Sequence, residues 1–137
     1  MICFFDTNVL IYAVDSRFPE KQKTAIALYA QCVKDRSFVI STQVLIEFYN
    51  AVTKGKQPLL LRHEAQAQVT TLARQHVLPT TAAIVVASAD HAMRHQMHWF
   101  DALMVEAALR ADAQTLYSED IQHGQQFNGL TIVNPFL

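Results

Sequence analysis

Long apolar runs, a surplus of basic residues and zinc-type cysteine spacing are all missing from this sequence, and each absence removes a class of protein. No uninterrupted apolar run approaches the roughly 18 residues that a membrane-spanning helix needs. The opening residues, MICFFDTNVLIYAVD, carry an Asp at position 6 and no basic leader, so a cytoplasmic protein with no membrane association is expected. Lys and Arg total 11 against 12 Asp and Glu, for a formal net charge of -1. That balance excludes a protein that holds nucleic acid through phosphate contacts alone, so any nucleic-acid partner must be recognised more locally. The two cysteines, Cys3 and Cys32, sit among apolar neighbours and read as reduced core thiols, and the six histidines form no Cys/His zinc pattern. With only three Gly and four Pro there is little linker material, and no internal repeat or low-complexity tract is visible.

What is present is globular. Of the 137 residues, 51% are hydrophobic and 17% charged, enough apolar material to bury a core without disulfides, and one domain spanning residues 1–137 is expected. Ile2 to Phe5 is a short apolar run ended by the polar triplet Asp6-Thr7-Asn8, which reads as a buried strand followed by a helix cap. Pro19 opens a helix reaching about Asp35. Ser37 to Ser41 is a second strand. Thr42 starts a helix to about Lys54, closed by Gly55 and Pro58. Further helices are expected from Arg62 to Gln75, from Thr80 or Thr81 to about Gln96, and from Trp99 to about Ala111. Thr115 to Ser118 and Leu130 to Val133 complete a set of four strands. Strands alternating with helices imply an α/β fold with a parallel sheet covered on both faces.

In such a sheet the ligand crevice lies beyond the carboxyl ends of the strands. Asp6 directly follows the first strand and Asp120 follows the third by two residues. Glu47 lies about a turn and a half into the helix after the second strand. Three acids from distant segments therefore reach one edge, and Asp101, near a helix start, is compatible with the same crevice. Like charges gathered within a few ångströms raise one another's pKa and cannot all ionise without a cation. All-oxygen ligation suits Mg²⁺ or Mn²⁺ better than Zn²⁺, and such an ion activates water for hydrolytic phosphoryl chemistry.

The segments FFDTNVLIY, STQVLIEFYNAV, WFDALMVEAAL and LYSEDIQHG stand in an order that resembles the four acidic motifs of PIN-domain ribonucleases of the VapC toxin type. Each segment alone is weak, whereas four in order, covering nearly the whole chain, are a strong joint signal. The resemblance implies a PIN-like three-layer α/β/α sandwich around a mostly parallel sheet. It implies that Asp6, Glu47, Asp101 and Asp120 are catalytic metal ligands for Mg²⁺ or Mn²⁺, with Asn8 and Ser118 in support. It further implies RNA as substrate, a cognate antitoxin protein as partner of a type II toxin, and a homodimer. Glu106, five positions after Asp101 where similar sequences often carry a small or apolar residue, is expected to face solvent.

Two rivals remain open: a housekeeping PIN-domain RNA-processing nuclease, and a non-catalytic PIN-like binding scaffold, which would be expected to have lost acids that this chain keeps. A haloacid-dehalogenase-like phosphatase is rejected, because its first motif needs a second Asp two residues on and Asn8 stands there. His91, His95 and His98 have helical spacing and are expected to form a polar or partner-facing stripe. Lys54, Lys56 and Arg62 flank the loop from Gly55 to Pro58 and could steer RNA, although a solvated loop explains them equally well. The helix from Thr42 to Lys54 confines its polar residues to Gln43, Glu47, Asn50 and Lys54 and is apolar elsewhere, more than packing on one sheet face requires. Either the helix from Pro19 to Asp35 covers the excess, or a groove there takes an apolar antitoxin segment near Phe48 or Tyr49.

Overall fold

A computed structural model describes residues 1–137. Strands β1 (Cys3–Phe5), β2 (Phe38–Ser41), β3 (His76–Leu78), β4 (Thr115–Tyr117), β5 (Gln126–Phe127) and β6 (Leu130–Val133) form one sheet in the order β3-β2-β1-β4-β6-β5. Every pairing is parallel except β5 with β6. Cys3, Phe4 and Phe5 point alternately to the two faces of the sheet and all are buried, so both faces are covered. The covering layers come from α1 (Thr7–Tyr12), α2 (Pro19–Lys34), α3 (Thr42–Thr53), α4 (Arg62–Ala73), α5 (Ala82–His95) and α6 (Trp99–Arg110). The result is the expected three-layer α/β/α sandwich, and no helix in it is long and apolar enough to cross a membrane.

Local chemistry sets the helix ends. The Asp6 carboxylate accepts the Thr7 amide at 2.7 Å and begins α1. Pro19 stands in the first turn of α2, where its missing N–H costs nothing. The Thr81 hydroxyl accepts the Ile84 amide at 3.3 Å, and Gln96, left-handed at φ 50°, ends α5. Past α3, Gly55 takes φ +85°, a conformation that a side chain would strain. Predicted and observed helices agree to within about two residues.

Two strands escape the sequence reading. β3 and β5, three and two residues long, are the sheet's edges, where half-exposed side chains give neither an apolar run nor a clear alternation. Gln75 accordingly leads into β3 instead of closing α4. Glu106 is a second correction. Its side chain is 15% exposed, accepts from Arg110 Nε at 3.1 Å and lies 3.7 Å from His91 Nδ1, because α5 packs along α6 and covers the face assigned to solvent. The histidine stripe divides for the same reason: His91 and His95 pack on each other and on Phe127, while His98 caps α6 by accepting the Phe100 amide at 3.3 Å. Cys3 and Cys32 are free and buried, as expected.

The order of the strands places the functional edge. The chain runs outward from β1 through β2 to β3, then returns to lay β4 on the other side of β1. That reversal opens a crevice at the carboxyl ends of β1 and β4, the position where open α/β sheets bind ligands. The pairing Phe5↔Tyr117 and the bond from the Asp6 amide to the Tyr117 carbonyl, 2.9 Å, carry the two strands in register up to its floor.

Candidate active site

A cleft of about 310 Å³ opens at this point, and Asp6, Glu47, Asp101 and Asp120 all line it. They arrive from four segments: the end of β1, the middle of α3, the first turn of α6 and the turn after β4. Asp101, which the strand argument left open, therefore joins the other three. No lysine, arginine or histidine lines the cleft.

Asp6 is 5% exposed. One of its oxygens accepts the Thr7 amide, and the other accepts the Ser118 hydroxyl at 2.7 Å. Burial pushes its pKa up to about 7 against the pull of those two donors, and the carboxylates of Asp120 and Glu47 push the same way. Asp101 is raised too, by burial first and then by Asp120, with Glu47 adding to it and His98 opposing. Ser118 is fully buried, and its oxygen also accepts the amides of Asp120 at 3.1 Å and Ile121 at 3.4 Å, so one hydroxyl joins β1's acid to the turn bearing Asp120. Asn8 does likewise from α1, donating to Asp120 at 3.0 Å and accepting the Glu119 amide at 3.2 Å.

Thr7 and Gln43 were not singled out from the sequence as supports. The Thr7 hydroxyl donates to Glu47 Oε1 at 2.7 Å, tying α1 to α3, and Gln43 Nε2 donates to Oε2 at 3.1 Å from one helical turn earlier. Gln43 had a signal, its place four residues before Glu47 on the same stripe. Thr7 had none beyond adjacency to Asp6. Lys54, Lys56 and Arg62 do not line the cleft.

The donor set is all oxygen, carries up to four negative charges and has no basic side chain to offset them, which fits a hard divalent cation. As placed, no three of these side chains converge into a ready coordination shell, since neutral donors hold Asp6, Glu47 and Asp120 in their present positions.

The PIN domain family model matches residues 3–125. The chain belongs to the PIN domain family. Among solved structures, this PIN domain is similar to VapBC2 from Rickettsia felis, bound to a DNA fragment from its promoter, with TM-score 0.68 and 20% identity over 96% of this chain and 97% of that one. It is similar to the sarcin-ricin-loop-cleaving toxin VapC20 from Mycobacterium tuberculosis, with TM-score 0.66 and 20% identity over 86% and 89% of the two chains. A toxin–antitoxin complex from Klebsiella pneumoniae gives TM-score 0.67 and 20% identity over 97% of each. At these identities the likeness is one of fold. No curated protein matches the sequence.

The elevated Asp6 pKa has a measurable consequence. A carboxyl held above its unfolded value keeps its proton longer in the native state, so its contribution to stability is complete below the unfolded pKa, near 3.8, and is lost as pH rises through about 7. In EDTA, Asp6→Asn should therefore gain on the wild type between pH 5 and pH 8, by on the order of 3 kcal/mol at 1.36 kcal/mol per pH unit. Urea unfolding of both proteins at the two pH values checks this, and a difference independent of pH would refute the assignment.

Proposed function

We propose that this PIN domain is an endoribonuclease that hydrolyses phosphodiester bonds in RNA with Mg²⁺ or Mn²⁺, and that it is the toxin of a type II toxin–antitoxin pair. The observation that carries the reading is the cleft: four carboxylates from four segments, no basic group among them, at the switch point of the sheet. Asp6, Glu47, Asp101 and Asp120 would hold the cation. When bound, it would activate water and stabilise charge on the phosphate. The chain's own residues prepare that site. Ser118 and Thr7 orient the two Asp6 oxygens, Asn8 orients Asp120, and Thr7 with Gln43 fixes Glu47 against rotation. Asp6, whose pKa burial raises to about 7, would release its proton to solvent as a cation binds.

Two partners follow from the same reading. Toxin–antitoxin assemblies among the similar structures support a protein antitoxin. Beside the cleft, α1, α2, α3 and α4 enclose an apolar groove of about 210 Å³, lined by Leu10, Val14, Ile26, Tyr29, Phe48 and Leu72 among others, which suits an apolar antitoxin segment. The apolar surface of α3 is divided. Val44, Phe48 and Val52 are buried, with α1 and α4 packed most extensively on the helix, whereas Tyr49 is 39% and Ile46 66% exposed. A homodimer is supported by the outer face of α5, where Ala82, Val86, Ala89 and Met93 recur at the four-three-four spacing of a helix–helix seam, with Val86 72% and Met93 74% exposed.

EDTA should abolish RNA cleavage and added Mg²⁺ or Mn²⁺ restore it. Asp101→Asn should lower cleavage by at least about 100-fold with the circular dichroism spectrum unchanged. Cleavage undiminished in EDTA rules out the mechanism, and a non-catalytic scaffold would cut in neither condition. Ile26→Asp should weaken capture by the cognate antitoxin, by roughly 10-fold or more, and leave cleavage within twofold. Light scattering should give the mass of two chains, and of one after Met93→Asp; a monomeric wild type sinks the dimer.

A further inference from the structure

Behind the cleft, outside its lining, one lysine is held by more groups than a surface charge needs. Lys21, in the first turn of α2, donates from Nζ to the Glu119 carboxylate and to the Tyr12 hydroxyl at 3.2 Å. The same nitrogen stands 4.7 Å from the centre of the Tyr12 ring, 5.6 Å from that of Phe136 and 6.0 Å from that of Phe18. Aromatic faces attract a cation, so three rings and a carboxylate give this ammonium one preferred position. They come from the end of α1, the start of α2, the turn after β4 and the C-terminal residues.

Glu119 is the link to the cleft. It lies between Ser118, which bonds Asp6, and Asp120, and its amide donates to Asn8 Oδ1 while Asn8 donates to Asp120. Neither Lys21, Glu119 nor Tyr12 lines the cleft, so none of them touches what binds there. We propose that Lys21 is a positioning residue: through Glu119 it fixes the turn from Ser118 to Asp120, and so sets where the Asp120 carboxylate stands relative to Asp6. This rests on the reading of the four acids as cation ligands. A partly exposed ion pair adds little to global stability, whereas the partners of ligating groups govern cation affinity. The loss of Lys21 therefore acts on the turn and on the ion and leaves the fold nearly untouched.

Lys21→Met and Lys21→Arg, compared with wild type as full-length protein, test it by two readouts besides activity. Amide hydrogen exchange without metal should show Glu119 and Asp120 exchanging at least fivefold faster in Lys21→Met, with β1 and β4 unchanged. Calorimetry should show Mn²⁺ binding weakened roughly threefold to tenfold. Cleavage of an unstructured RNA should need correspondingly more Mn²⁺, with kcat at saturating ion within twofold. Lys21→Arg, which keeps charge and ring contacts, should restore all three. Exchange in the turn at wild-type rates overturns the proposal, as does a uniform acceleration across the sheet, which marks a merely structural lysine. If wild type binds no Mn²⁺, the cation reading fails by itself, and the exchange of Glu119 and Asp120 still decides whether Lys21 positions the turn.

Discussion

Water scarcely reaches the Asp6 carboxylate, and most of the surrounding architecture answers to that. A buried charge is costly unless donors or a counter-ion meet it. Here the donors are a backbone amide and one serine hydroxyl, and neither supplies positive charge. The neighbouring acids raise the cost further, yet the fold brings them there from α3 and the turn after β4. A protein selected for stability alone would place a lysine in such a cleft. Its absence leaves the mutual repulsion of these acids, a smaller push on Asp6 than burial, without an internal counter-charge.

Neutral hydrogen bonds keep that repulsion from scattering the site. Ser118 bridges β1's end to the turn after β4, Asn8 joins α1 to the same turn, and Thr7 reaches across to α3. Each group satisfies a backbone or side-chain partner that would otherwise be unpaired, so the supports serve the loops as well as the acids. The groove on the other side of α1 and α3 shares these helices: Leu10 and Phe48 face the groove, while Ile11 and Glu47 face the cleft.

Much of this is legible in the amino-acid sequence. Asp6 and Asp120 follow strands directly, so strand recognition was enough to place them on one edge. Glu47 needed only the helical rise. Asp101 required the family resemblance, because nothing in periodicity says which way a helix after a loop will lean. Thr7 was illegible as a bridge, since a threonine beside an aspartate at a helix start looks like ordinary capping until α3 is placed against α1. Glu106 misled because five residues of helix do turn it away from Asp101, but α5, and not water, lies on that side. Lys21 reads from sequence as one of several charges at a helix start. Its meaning depends on Tyr12, Phe18, Glu119 and Phe136, which only tertiary structure brings together.

The two edge strands escaped sequence reading because they are so short, and the same brevity has a value of its own. An open sheet edge offers unpaired amides and carbonyls to any passing strand, and a long one seeds fibres. β3 presents three residues and β5 only two, the latter running against the rest of the sheet. Neither gives a second molecule enough backbone to extend the ladder, so the six-stranded sheet can expose both flanks without recruiting its neighbours into an aggregate.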